Sequence, residues 1–133
     1  MSNSTPLQNR SEIRDLSEAG GDLRQAIGQH LKFSLGKDPE HAKIYDWRMS
    51  LSFAIRDKIV SPWFSSTQRT YEQKHKRVYY LSMEFLMGRL LEDAVVNLGL
   101  DECARQALAS FDVDYDTVLK DEPDAALGNG GLG

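Results

Sequence analysis

Lys76-Arg77-Val78-Tyr79-Tyr80-Leu81-Ser82-Met83-Glu84-Phe85-Leu86-Met87-Gly88-Arg89 is where the chain changes its period. Tyr79, Leu81, Met83, Phe85 and Met87 are all apolar, while Val78, Tyr80, Ser82, Glu84 and Leu86 alternate with them as a mixed set. A repeat of two predicts a β-strand over 78–87, with one face fully buried and the other meeting something polar. Gly88 ends it. The elements around it read as helices, and a lone strand is not stable without neighbours. The strand therefore implies sheet partners that these residues do not supply, and an incomplete unit.

Working outward, Asp22 reads as the cap of a helix carrying Leu23, Ala26, Ile27, Leu31 and Leu35, stopped by Gly36. Residues 1–21 read as a flexible tail, with a short amphipathic piece over Ser11–Ala19 closed by Gly20-Gly21. After the loop Lys37-Asp38-Pro39, a second helix is predicted from about Glu40 to Val60. Its stripe is Tyr45, Met49, Ser52, Phe53, Arg56 and Ile59, widened by Ile44, Leu51 and Ile55. Ser61-Pro62 fits either a fresh N-cap and first-turn proline or a kink in one continuous helix, since the pattern resumes from Trp63 to Lys74. Beyond the strand, Leu90, Leu91, Ala94, Val95 and Leu98 mark a helix ending at Gly99. Asp101 caps another with Ala104, Ala107, Leu108 and Phe111, and a short helical turn runs from Tyr115 to Leu119. One unit is thus expected over 22–133, mostly helical with one strong strand.

The 133 residues carry 16 basic and 20 acidic side chains, with 41% hydrophobic and 27% charged residues. That composition belongs to a globular chain. The charge of −4 argues against nucleic acid and anionic membrane as partners. The one basic cluster, Lys74-His75-Lys76-Arg77, reads as a solvated turn rather than a binding patch. The polar start lacks an apolar signal core, no stretch matches the roughly 20 apolar residues of a membrane span, and the single Cys103 has no disulfide partner. These features place the chain in the cytoplasm, where the sequons at Asn3 and Asn9 carry no glycan.

Few constellations point to chemistry. Asp112, Asp114 and Asp116 begin like a calcium loop, but Thr117 holds the glycine position and Pro123 the closing glutamate. These acids read as helix caps and surface charge. His30, His41 and His75 are scattered, so no metal site is expected. Cys103 reads as a small packing residue. Glu84 is either a carboxylate in a ligand cleft or half of a structural ion pair with Arg89. Gly128, Gly130 and Gly133 match the dinucleotide-loop spacing, but Asp121–Leu127 before them is not strand-like. A better reading is a loop whose amides approach a phosphate or sugar at a helix start. A glycine run normally connects two elements, so it too implies a continuation.

The block from Lys76 to Arg89 closely resembles the first strand of the α-glucan phosphorylases, and the resemblance continues through Asn97-Leu98 into Ala126-Leu127-Gly128-Asn129-Gly130-Gly131-Leu132-Gly133. Upstream, His30–Asp38 and Arg56-Asp57 are similar to the family's first helices, so the likeness covers about residues 22–133. It implies an α/β enzyme of the glycosyltransferase-B type, with two Rossmann-like domains, of which this chain is an amino-terminal part. The family cleaves terminal α-1,4-linked glucose from glycogen or maltodextrin with inorganic phosphate and releases glucose 1-phosphate. It uses pyridoxal 5'-phosphate, and the lysine that holds the cofactor lies outside this chain. No catalytic residue is expected within the chain, which by itself is expected to be inactive.

By the same resemblance, Gly130 and Gly131 offer amides towards phosphate, Leu132 touches the glucosyl unit, and Glu84 lies near the cofactor. Leu86 stands where animal members have tyrosine, a bacterial or plant-like feature. Asp38, Gln68 and Tyr71 match positions of the nucleotide-effector site that animal members form at the subunit interface. Glu40, Ser65 and Thr67 replace the expected asparagine, arginine and glutamine, so a degenerate effector site is implied. The amino-terminal phosphorylation motif is not reproduced around Ser11. A homodimer is implied for the full-length protein. The competing readings are a self-contained helical interaction module, with the second helix as its partner face, and a piece of a nucleotide-binding oxidoreductase.

Overall fold

The computed structural model describes residues 21–126. Helix α1 covers residues 21–34, and its last turn, His30–Ser34, is π-helical. Helix α2 is Ile44–Glu72, α3 Leu91–Asn97, α4 Asp101–Ala109 and α5 Tyr115–Lys120. The expected tail, apart from residue 21, and the terminal glycines lie outside the described residues.

Leu23, Ile27 and Leu31 are one helical turn apart and all buried, as their spacing predicts. Gly36 ends α1 in the left-handed region at φ 65°, which lets the Lys37 amide reach back to the Leu31 carbonyl at 3.0 Å. Gly21 and Asp22 are already helical, so neither the predicted stop nor the predicted cap lies there. Asp22 instead pairs with Lys58 of α2.

α2 begins later than predicted because Asp38 ties residues 38–41 into a turn. Its carboxylate accepts from the amides of Glu40 and His41 at 3.0 and 3.1 Å. Asp46 then accepts from the Lys43 amide at 2.9 Å, at the opening turn of the helix. The helix runs unbroken through Pro62. Proline removes the donor for the Lys58 carbonyl, but this part of the helix is exposed, so the freed group is open to solvent.

The buried face of α2 is Trp47, Ser50, Leu51, Ala54 and Ile55, with Asp46 at its start. This corrects the predicted stripe, most of which lies outside this seam: Tyr45, Arg56 and Ile59 are exposed, and Met49, Ser52 and Phe53 only half-buried. Small residues decide the difference. Ser50 and Ala54 let α1 approach, and the Ser50 hydroxyl donates to the Ile27 carbonyl, so the one buried hydroxyl on this face is satisfied. α2 also packs on α5 and α3, while α4 reaches the core through α3 and α5.

Leu91, Val95, Ala104, Ala107, Leu108 and Val118 close the core from the other side, largely as their periodicity predicts. Asp101 lies inside α4, with Leu100 in the cap position, so it is a first-turn acid rather than a cap. It accepts from the Tyr115 hydroxyl at 3.0 Å, and burial followed by this carboxylate pushes the phenol up. Asp114 is a true cap, accepting from the Thr117 amide at 2.8 Å and hydroxyl at 2.6 Å.

The predicted strand is not found: 78–87 has no regular structure, with a bend at Met83, a single bridge at Phe85 and no ladder among the described residues. Leu81 and Leu86 are each 90% exposed. Among the described residues no neighbouring strand extends that bridge into a ladder, so the alternation stays unburied. The mostly helical expectation holds.

Truncating Leu51 to alanine should cost about 2–5 kcal/mol in urea unfolding, whereas Ile59→Ala should stay within about 0.5 kcal/mol. Equal losses would restore the predicted stripe. Acid should weaken the fold in a defined way. Hydrogen bonds hold Asp57 (from His30 first, then Arg56) and Asp114 (from Thr117) below the ordinary carboxyl value of 3.8. A depressed folded-state pKa adds stability that is present above the unfolded value and lost as pH falls through the folded one. The urea midpoint should therefore drop below about pH 4, and the drop should shrink in Asp114→Ala.

Candidate functional site

The site expected from the sequence has two halves, the 78–88 segment and the run entering the glycines. The structure brings their ends together. Gly88 adopts φ 69°, a left-handed turn that suits glycine, and its carbonyl accepts from the Ala125 amide at 3.0 Å. The Glu122 carboxylate accepts from the Leu90 amide at 2.9 Å and from the Leu91 amide at 3.1 and 3.0 Å. The lead-in to the glycines is thus bonded to the end of the 78–88 segment and to the start of α3. Gly130, Gly131 and Leu132 themselves lie outside the described residues.

Glu122 was missed by sequence reasoning, which read only that Asp121–Leu127 is not strand-like. Helix α3 has no side-chain cap of its own, because Leu90 precedes it. The orphan amides are met by a carboxylate 31 and 32 residues away in sequence, and no local pattern marks such a partner.

Glu84 is exposed, and its amide donates to the Ser82 hydroxyl at 3.1 Å. Among the described residues it forms no ion pair with Arg89.

Asp38, Gln68 and Tyr71 are not brought together within one chain. Asp38 precedes α2 and binds His41 Nδ1 at 2.8 Å, which holds its carboxyl below the ordinary range. Gln68 and Tyr71 lie near the far end of α2, and a rise of about 1.5 Å per residue puts positions 44 and 68 about 36 Å apart. Gln68 donates to Glu72 at 2.8 Å. The Arg77 guanidinium lies 3.7 Å from the Tyr71 ring centroid, and Tyr71 and then Tyr79 push its pKa further up.

Ligand atoms of Asp38, Glu40 and His41 lie within 4.8 Å of one another, but all three are exposed and the imidazole is engaged by Asp38. This is a hydrogen-bonded turn. The other expected surface roles are plain: Cys103 is buried, and no helix among the described residues is long and apolar enough to cross a membrane. For a pyridoxal cofactor, the residues present do not fit. Every lysine of the chain is exposed, from Lys32 to Lys120, and an imine-forming lysine needs a desolvated pocket.

No model of a protein family matches the chain. Among curated proteins it is 41% identical over 123 residues to the brain form of glycogen phosphorylase from Bos taurus, covering 91% of the chain and 15% of that protein. It is 37% identical over 135 residues to the liver form from Homo sapiens, covering 96% of the chain and 16% of the relative. It is 40% identical over 127 residues to the glycogen phosphorylase of Pasteurella multocida, covering 96% of the chain and 15% of that protein. The chain therefore spans about 15% of the length of the curated relatives it matches. These relatives are phosphorylases from mammals and a bacterium. Over this segment, the chain belongs to the glycogen phosphorylase family.

Replacing Glu122 by alanine should free the first amides of α3 and destabilise the fold by about 1 kcal/mol, with faster hydrogen exchange at Leu90 and Leu91. Unchanged exchange at those two amides would show that the carboxylate does not cap the helix.

Proposed function

We propose that this chain is a segment of a glycogen phosphorylase that releases terminal α-1,4-linked glucose of glycogen or maltodextrin as glucose 1-phosphate, using inorganic phosphate. The observation that carries this reading is identity of 37–41% to glycogen phosphorylases over 91–96% of the chain. The bond between Gly88 and Ala125 supports it, because it sets the two resemblance blocks side by side. In that reading Gly130 and Gly131 face phosphate, Leu132 the glucosyl unit and Glu84 the cofactor. The architecture is of the glycosyltransferase-B type, and 78–87 becomes a strand only when its sheet neighbours are present.

Pyridoxal 5'-phosphate is proposed for the full-length protein, held by residues beyond this segment, and it would supply its phosphate for proton transfer. The chain's own share is to present loop amides and Glu84. The full-length protein is proposed to be a cytoplasmic homodimer. The separation of Asp38 from Gln68 and Tyr71 supports that reading: a site using all three needs two chains. Glu40, Ser65 and Thr67 weaken such a site, so regulation by a nucleotide is reduced.

Complementation tests the proposal. The chain is combined with Pasteurella multocida glycogen phosphorylase lacking the matching segment, and glucose 1-phosphate formation from glycogen is followed. Neither part alone should form product, and the mixture should. Product from the chain alone, or a stable complex without product, would overturn the reading.

A further inference from the structure

The end of α2 carries a second feature, on the face opposite Gln68 and Tyr71. Ser66, Arg69, Thr70 and Gln73 recur at i, i+3, i+4 and i+7, so they form one stripe along the helix. Lys74 takes φ 51°, and the chain turns back so that the His75 amide reaches the Thr70 carbonyl at 3.1 Å. This reversal brings His75 and Lys76 against the stripe. The six side chains line an open groove of about 520 Å³.

Two observations make the groove more than a solvated turn. First, its cations are not consumed by ion pairs. Arg48, Arg56, Lys58 and Arg105 are each paired with an aspartate, at Asp121, Asp57, Asp22 and Asp116. Arg69, Lys74 and Lys76 form no ion pair among the described residues, although the chain as a whole has an excess of acids. Second, the helix end does not repel an anion here as an open C-terminus would. The carbonyls of Arg69, Thr70 and Tyr71 are occupied by the amides of Gln73, His75 and Lys74 at 3.0, 3.1 and 3.2 Å.

We propose that this groove binds a phosphate group, free or as a monoester. The Arg69 guanidinium offers planar paired donors and Lys76 a point charge. The Ser66 and Thr70 hydroxyls and the Gln73 amide add neutral donors along the same wall. Residues 74–77 form an exposed turn, as the sequence predicts, and the residues that complete the groove come from α2. The site is distinct from the effector positions, which face the other side of the helix.

Phosphate is titrated into the 133-residue chain at constant ionic strength, with chloride as the balancing anion, while backbone amide shifts are followed by NMR. Saturable shifts confined to about residues 66–76 are expected. Combining Arg69→Gln with Lys76→Gln should weaken binding at least about tenfold with the helical signal unchanged, since both side chains are exposed. The exposed Lys32→Gln should bind as the parent does. Glucose 1-phosphate distinguishes the sources: tighter binding than inorganic phosphate assigns an ester, equal or weaker binding the free ion. Linear shifts that chloride reproduces, or full binding by the double variant, would mean that the cations only balance the helix end, and would overturn the proposal.

Discussion

One narrow face of α2 carries the described structure. Trp47, Ser50, Leu51, Ala54 and Ile55 are buried within little more than two turns. α1, α3 and α5 all pack on this helix, and α4 joins through its neighbours. Close approach depends on two small residues, Ser50 and Ala54. A larger side chain at either would hold α1 away, and the Ser50 hydroxyl would lose the Ile27 carbonyl. Trp47 completes the seam, with its ring 5.0 Å from that of Phe111. Burying side chains of this size is worth roughly 1.5–3 kcal/mol each, before the entropy of ordering the chain is subtracted.

The same helix outlasts its packing. Its first three turns are in the core, and its remaining turns run out into solvent with Trp63 59% and Tyr71 63% exposed. Together with 78–87 this makes two apolar surfaces that the described residues leave open. No core residue comes from 73–90, and the helical unit closes without that segment. What holds the segment's end is polar: Glu122 on the first amides of α3, and Ala125 on Gly88. The connection is directional, so it fixes where the lead-in to the glycines begins without burying 78–87.

Much of the fold was legible because helices of this kind encode their faces locally. Leu23, Ile27 and Leu31 in α1, and Ala104, Ala107 and Leu108 in α4, were found from spacing alone. α2 was misread because its apolar residues surround the helix, and spacing does not say which direction faces the core. The candidate site was less legible. The glycine-loop residues fall outside the described residues, and Glu84 lies exposed on a segment with no regular structure. Glu122 and the Arg69 groove depend on residues remote in sequence or on a chain reversal.

The sequence by itself determined the helical periodicities, the turn glycines Gly36, Gly88 and Gly99, and the family, because each is written in neighbouring residues or in long continuous blocks. Tertiary structure alone decided which side of α2 is buried, that Glu122 caps α3, and that 78–87 forms no ladder and stays largely exposed. Those outcomes are set by what lies opposite a side chain in space. A period of two states only that a strand is possible; pairing, which is non-local, decides whether one forms.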